Sequence, residues 1–281
     1  MRKPVRLKII FRTETRLRCT AGREALMVVT TKGVILKRRS IGEQDAILTV
    51  LTDDFGVIEA SARGVKRAKS KLAAAVQPFY YSELSLFHTK ERYIVNNASA
   101  IETFHNLRYD VVKVALANYI SELICYLAPS LEQVAQIKRF YLNSLYLLAG
   151  DKKSPRFIKA VSELRLMALS GFMPDLVCCR QCAAYKDIRF VFDLQQGFLL
   201  CENCRTPGKV GDFQVLTPSL LASLRHIIYS EDSKVFNFTA SEATLALLSQ
   251  TTERYVLCHL ERSFRPLEIY RSLLSEEPLK Q

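Results

Sequence analysis

The sequence predicts an α+β protein, with a small five-stranded β-barrel at 27–104 and an α-helical domain at 105–281. Three observations carry this. Five short apolar, β-branched runs lie between Gly33 and Ala100, the apolar period turns helical after residue 105, and two tight cysteine pairs interrupt the helical part.

The first run is Gly33-Val-Ile-Leu-Lys-Arg-Arg and the second Asp45-Ala-Ile-Leu-Thr-Val-Leu-Thr. Asp53-Asp54-Phe55-Gly56 reads as the turn into a third run, Val57 to Arg63. The fourth covers Phe79 to His88, with Pro78 at its start, where a missing N–H does least harm. Thr89-Lys90-Glu91 then turns the chain into Arg92-Tyr-Ile-Val-Asn-Asn-Ala. Five strands in about seventy residues, with no long helix between them, fit a closed barrel better than a parallel sheet. The OB-fold is the commonest five-stranded barrel that also binds nucleic acid.

Asp110 to Ala128 places Val111, Val114, Ala115, Tyr119, Leu123 and Tyr126 near one stripe, and Pro129 ends it. Leu131 to Ala149 repeats the pattern and closes at Gly150. Ser154-Pro155 is an N-cap and first-turn pair for a third helix, stopped at Gly171, and Thr217-Pro218 is another. A last helical stretch is expected from Ser241 to about Leu274.

The cysteine insertion, at about 174–208, contains Cys179-Arg-Gln-Cys182 and Cys201-Glu-Asn-Cys204, a C-x2-C-x18-C-x2-C pattern. Two-residue spacing lets both thiolates of a knuckle face one ion, and two knuckles complete the tetrahedron that zinc prefers. The turn residues Gly197 and Pro207-Gly208 flank the second knuckle. Cys178 would make the first spacing C-x3-C and is taken as a non-ligand. No histidine lies between Phe172 and Gly211. Four thiolates leave no position for water, so the ion is expected to be structural, one per chain. Cys19, Cys125 and Cys258 are isolated and read as buried thiols, which with the knuckles points to a reducing, cytoplasmic compartment.

The net charge of +12 points to a polyanionic partner. Half of it falls in residues 1–26, which hold eight Lys or Arg against Glu14 and Glu24 and contain no secretory h-region. A basic arm, a transit peptide, and translation from an upstream start codon are the open readings. Met27-Val-Val-Thr-Thr-Lys-Gly looks like an ordinary start, and the barrel is expected to begin near Thr30. In the barrel, Arg63, Lys66, Arg67, Lys69 and Lys71 form a run without acids, and Lys37, Arg38 and Arg39 sit on the first strand. A charged run is ordinarily a solvated loop. Beside the aromatics Phe79, Tyr80, Tyr81, Phe87 and Tyr93, of which most are expected in the core, it reads better as a phosphodiester groove.

Other chemistry finds no residues to carry it. Gly64 to Ser70 lacks the second glycine of a phosphate-binding loop, and no dinucleotide fingerprint, H-E-x-x-H or nucleophile elbow is present. His88, His105, His226 and His259 stand singly, Asp53-Asp54 serves a turn, and no carboxylate cluster suits a nuclease metal. A non-enzymatic nucleic-acid-binding protein remains, either a mediator of DNA transactions or a zinc-ribbon transcription or RNA-binding factor.

From Met27 to about Leu274 the chain resembles the RecO family of bacterial recombination mediators. The likeness rests on Gly33-Val-Ile-Leu, Gly42-Glu43-x-Asp45, Phe55-Gly56, Arg63-Gly64 with Lys69-Ser70, and Gln77-Pro78-Phe79. It continues through Glu102-x-Phe104-x-x-Leu107-Arg108, Gly171-Phe-x-Pro174-x-Leu176 and the two knuckles. The chain departs from the family at Ala183, where glycine is common, and at Gly197-Phe198, where a double glycine is common. The resemblance implies an OB-fold followed by an α-helical domain with a zinc finger. It also implies binding of ssDNA and dsDNA, annealing of complementary strands, and loading of RecA onto ssDNA without ATP. RecR and the acidic tail of single-strand-binding protein would be partners, in a cytoplasmic, nucleoid-associated setting.

Overall fold

The computed structural model describes residues 27–89, 92–186, 189–205 and 211–276. The basic segment 1–26 with Cys19, most of the Thr89-Lys90-Glu91 turn, and Pro207-Gly208 lie outside the described residues. Strands β1 (Met27–Ile41), β2 (Asp45–Thr52), β3 (Gly56–Ala62), β4 (Tyr81–His88) and β5 (Tyr93–Glu102) close into a barrel in the order β1-β2-β3-β5-β4. Only β3 and β5 run parallel within it. Ile35, Leu48, Val50, Ile58, Ala60, Leu84 and Leu86 alternate inward to fill it, as the period-2 pattern requires.

β1 is long because it pairs twice, with β4 through its first half and with β2 through its second. Gly33 stands at the change of partner, opposite both Thr52 and Ser82. A Cβ there would lie 2.7 Å from the Val50 side chain and 2.9 Å from the Leu51 carbonyl oxygen. Gly33→Val is therefore expected to destabilise the barrel by about 1–3 kcal/mol or more, read as a lower urea midpoint at an unchanged m-value.

Val34, Ile35 and Leu36 are all buried, because β1 lies between two cores. Ile35 enters the barrel, whereas Val34 and Leu36 join the core of the helical domain. Alternation alone gives this split, and the bulge between Ile35 and Lys37, one residue more on β1 than on β2, then turns Lys37 rather than Arg38 outward. The fourth strand starts two residues later than its sequence suggests, because Phe79 has φ +71° and cannot continue an extended run. Its backbone N–H still donates to the Ile35 carbonyl at 2.7 Å, and its ring is buried at the junction of barrel and helices.

The helical domain contains α1 (Val111–Leu127), α2 (Leu131–Ala149), α3 (Pro155–Leu169), α4 (Pro218–Tyr229), α5 (Glu242–Leu260) and α6 (Arg265–Glu276). The expected caps form: the Ser154 hydroxyl accepts from Phe157 N–H at 3.3 Å and Thr217 from Leu220 N–H at 3.2 Å. The helical stretch expected from Ser241 to about Leu274 is divided into two helices. Glu261 turns left-handed at φ 48°, and Pro266 sits in the first turn of α6, where proline is tolerated, rather than inside a longer helix. Among the described residues no helix is long and apolar enough to cross a membrane.

α3 runs through the middle of the domain and is buried on all sides from Phe157 to Met167. Its buried charged residues find partners inside the domain, apart from Arg165 Nε, which is buried without one. Lys159 pairs with Glu163 and with Glu253, both at 2.8 Å, while Glu163 also accepts from the Tyr119 and Thr252 hydroxyls. Arg165 donates to the Ile227 and Ile228 carbonyls at the end of α4 and to Asp232.

Between α3 and α4, strands β6 (Asp175–Cys179), β7 (Phe190–Asp193), β8 (Phe198–Cys201) and β9 (Phe213–Leu216) form a small sheet in the order β6-β8-β7-β9. The sheet continues past the cysteine segment marked out in the sequence, since β9 pairs with β7. Leu176, Phe192, Leu199 and Leu216 share the core of the helices, so the sheet is a wall of that domain rather than an independent unit.

Candidate metal centre and nucleic-acid surface

The two knuckles meet at the ends of β6 and β8. The sulfurs of Cys179, Cys182, Cys201 and Cys204 all lie within 4.8 Å of one another, and Cys178 is not among them. Cys182 and Cys201 sulfurs are 3.6 Å apart. Four ligands about 2.3 Å from a tetrahedral ion would have sulfurs roughly 3.8 Å apart, so the cluster is of the right size to hold one. The Cys201 N–H donates to the Cys179 sulfur at 3.3 Å, as backbone amides do to a thiolate. Burial pushes the Cys179 thiol up, but backbone N–H groups from Cys182, Cys201 and Gln181 outweigh it and hold it at about 6. Cys204, whose thiol hydrogen-bonds the Cys201 and Cys182 sulfurs, is pushed up to about 12. Without a cation the four cannot ionise together; a divalent ion reverses that balance and deprotonates its ligands.

The basic residues divide between surfaces. Arg63, Lys66, Arg67, Lys69 and Lys71 are all exposed on the connection between β3 and β4. Its start is fastened to the β1–β2 loop. Gly64 N–H donates to Asp45 Oδ1 at 2.7 Å, Lys66 Nζ to the Gly42 carbonyl at 3.1 Å, and Arg67 Nε to Gln44 Oε1 at 2.6 Å. Gly64 takes φ +63°, which this tight turn needs.

Lys37 and Arg39 lie opposite Thr49 and Ile47 on the outer face of the barrel. Arg38 lies opposite Leu48, so it belongs to the inward row and does not share their face. Glu59 stands across β2 in the Lys37–Thr49 row, an acid in a face that looked purely basic in the linear sequence. Lys37 instead borders a groove of about 700 Å³ between barrel and helices, with Arg108, Val111, Arg265 and Ile269. Burial pushes the Cys125 thiol in this groove up to about 11.

The barrel aromatics are engaged elsewhere. Phe79 and Tyr80 are buried, and the Tyr80 hydroxyl bonds His105 Nδ1 at 3.2 Å. Tyr81 lies under Lys138, and Tyr93 stacks on His88 with centroids 4.5 Å apart. His226 and His259 face the Lys234 and Leu194 carbonyls at 3.0 and 2.9 Å.

This architecture has close relatives. The family model described as recombination protein O N terminal matches residues 27–104, and the one described as recombination protein O C terminal matches 108–268. The chain belongs to the RecO family. It is 31% identical over 245 residues to the DNA repair protein RecO of Acetivibrio thermocellus, covering 86% of this chain and 96% of that one. The proteins of the same name from Alkaliphilus metalliredigens and Caldicellulosiruptor bescii are 30% and 29% identical, each across 88% of this chain and 100% and 99% of theirs.

One of the two departures from the RecO pattern falls on a left-handed residue. Ala183 has φ 58° directly after the first knuckle, whereas the other is Phe198, which follows the left-handed Gly197 (φ 70°) of the β7–β8 turn. Glycine is favoured after the knuckle because only it adopts that conformation without strain. Alanine tolerates it at a cost of about 1–2 kcal/mol, and neither change touches a sulfur.

Proposed function

We propose that this RecO-family chain is a DNA-binding recombination mediator in DNA repair. It binds ssDNA and dsDNA, anneals complementary strands and, acting with RecR, helps load RecA onto ssDNA coated with single-strand-binding protein, whose acidic tail it contacts. It does so without being an enzyme, in the cytoplasm at the nucleoid. The single observation that carries the reading is the exposed set of cations pinned to one end of an OB-fold barrel in a member of this family. Lys37, Arg39, Arg63, Lys66, Arg67, Lys69 and Lys71 contact phosphates, and Arg38 extends the set at its inner edge.

The ion is zinc, held by Cys179, Cys182, Cys201 and Cys204. It supplies structure only, fixing the wall of the helical domain. Binding energy comes from counterion release and carries no base information. That suits a protein that must act on any sequence.

Three of these cations, Arg63, Lys69 and Lys71, take no part in fastening the loop to Gly42 and Gln44. Replacing all three with alanine is expected to flatten the slope of log ssDNA affinity against log salt by roughly 2, at about 0.7 per phosphate contact. The folded state should be little affected, because exposed charges contribute little to stability. A salt titration with circular dichroism as folding control checks this. An unchanged slope in a folded variant would move the DNA path off the barrel.

A further inference from the structure

We propose that the seam between the metal-binding sheet and helix α4 is a second site for single-stranded nucleic acid, built on Tyr185, Lys186, Arg189 and Arg225. The inference rests on the DNA-binding reading above and goes beyond it. A cavity of about 450 Å³ opens here, walled by Phe190, Leu216 and Pro218 and rimmed by the three cations. None of the described residues lining it is a carboxylate, and Asp187, between Lys186 and Arg189 in the sequence, lies outside the described residues.

Tyr185 is 51% exposed, unlike the aromatics of the barrel considered above. Its ring is held in place from one side. The Arg225 guanidinium lies 4.9 Å from the ring centroid, and it is itself fixed by donating from Nε to the Leu176 carbonyl and from Nη2 to the Val177 carbonyl, both at 2.7 Å. Such a platform loses little side-chain freedom when a base stacks on its free face, and stacking accepts any base. Lys186 and Arg189 are exposed beside it, where the phosphates flanking a stacked base would run. The seam offers both charge and an exposed ring. A protein that pairs two strands needs somewhere to hold the second.

The test uses the full-length, zinc-loaded chain and oligothymidylate carrying one 5-iodouracil. Irradiation is expected to cross-link the peptide containing Tyr185, and the cross-link should be kept by Tyr185→Phe and lost in Tyr185→Ala. Lys186→Ala with Arg189→Ala should flatten the salt slope by about 1.4, two contacts at 0.7 each. Arg225 is left intact because its donors hold β6. If the wild-type slope depends on Arg63, Lys69 and Lys71 but the seam variants cross-link and titrate like wild type, the second site is overturned and the function stands. If the wild-type chain shows no salt-dependent ssDNA affinity, both fall.

Discussion

Cys201→Ser is expected to abolish metal retention and to unfold much of the helical domain. Cys201 is 1% exposed and sits on β8, beside Leu199 in the core shared with the helices. Structural zinc sites contribute about 10–16 kcal/mol of apparent binding free energy, while a whole domain is stable by only about 5–15 kcal/mol. Losing the ion therefore removes an amount comparable to all the stability there is. The loss should reach beyond the knuckles. Phe192 on the same sheet packs against Tyr255 of α5 with centroids 5.5 Å apart, and the Tyr255 hydroxyl donates to the Phe172 carbonyl at 3.0 Å. Metal content per chain and near-ultraviolet circular dichroism check this together. Cys178→Ser should keep its full metal, because its sulfur lies outside the cluster. A Cys178→Ser variant without metal beside a Cys179→Ser variant that keeps it would overturn the ligand assignment. Lowering the pH should release the ion from the wild-type protein, since protons compete for the thiolates.

Lys159→Ala is expected to cost about 3–5 kcal/mol, because it leaves a buried carboxylate without its cation. In a chain of this size that corresponds to a melting temperature lower by roughly 6–20 °C. Glu163 is fully buried. Burial pushes its carboxyl up, while Lys159 and the Thr252 hydroxyl pull it down, and burial prevails. Without Lys159 the carboxyl rises further above its unfolded value, so between the two values the folded state binds a proton that the unfolded state lacks. That contribution is fully present below the unfolded value and is lost as the pH rises through the folded one, so the variant should gain stability as the pH falls. Glu253 keeps Arg271 at 2.5 Å and should be less affected. Adding Glu163→Gln to Lys159→Met should restore much of the loss by removing both charges. Thermal melts across pH check the series, and a pH-independent loss would mean that packing around the lysine stem, not charge, sets the cost.

The parts of this fold that were legible in the sequence are those set by local periodicity and spacing. Strands β2 and β3 and helices α1 to α3 follow from alternation, period and caps within a few residues of each boundary, whereas β1 begins six residues before the run that starts at Gly33. The four cysteines were legible because two-residue spacing is itself a geometric statement. What was missed depends on residues distant in sequence. Alternation alone separates Arg38 from Lys37 and Arg39, but which of them faces outward depends on the bulge after Ile35, visible only against the register of β2. Glu59 joins the Lys37 row only through β2. The strands of the metal-binding sheet are four or five residues long, too short to show a period. Arg225 meets Tyr185 forty residues away, and nothing in either neighbourhood announces the pair. The break between α5 and α6 was different, since Pro266 marks it in the sequence.

Whether the chain brings complementary strands together on protein-coated DNA is decided by an annealing assay. Two complementary oligonucleotides, each saturated with single-strand-binding protein, are mixed with the zinc-loaded full-length chain without nucleotide triphosphate. Annealing is expected to run many-fold faster than without the chain, and to be slowed by added salt and by alanine at Arg63, Lys69 and Lys71. A folded, metal-replete protein that binds the coated strands yet leaves their annealing rate unchanged would contradict it.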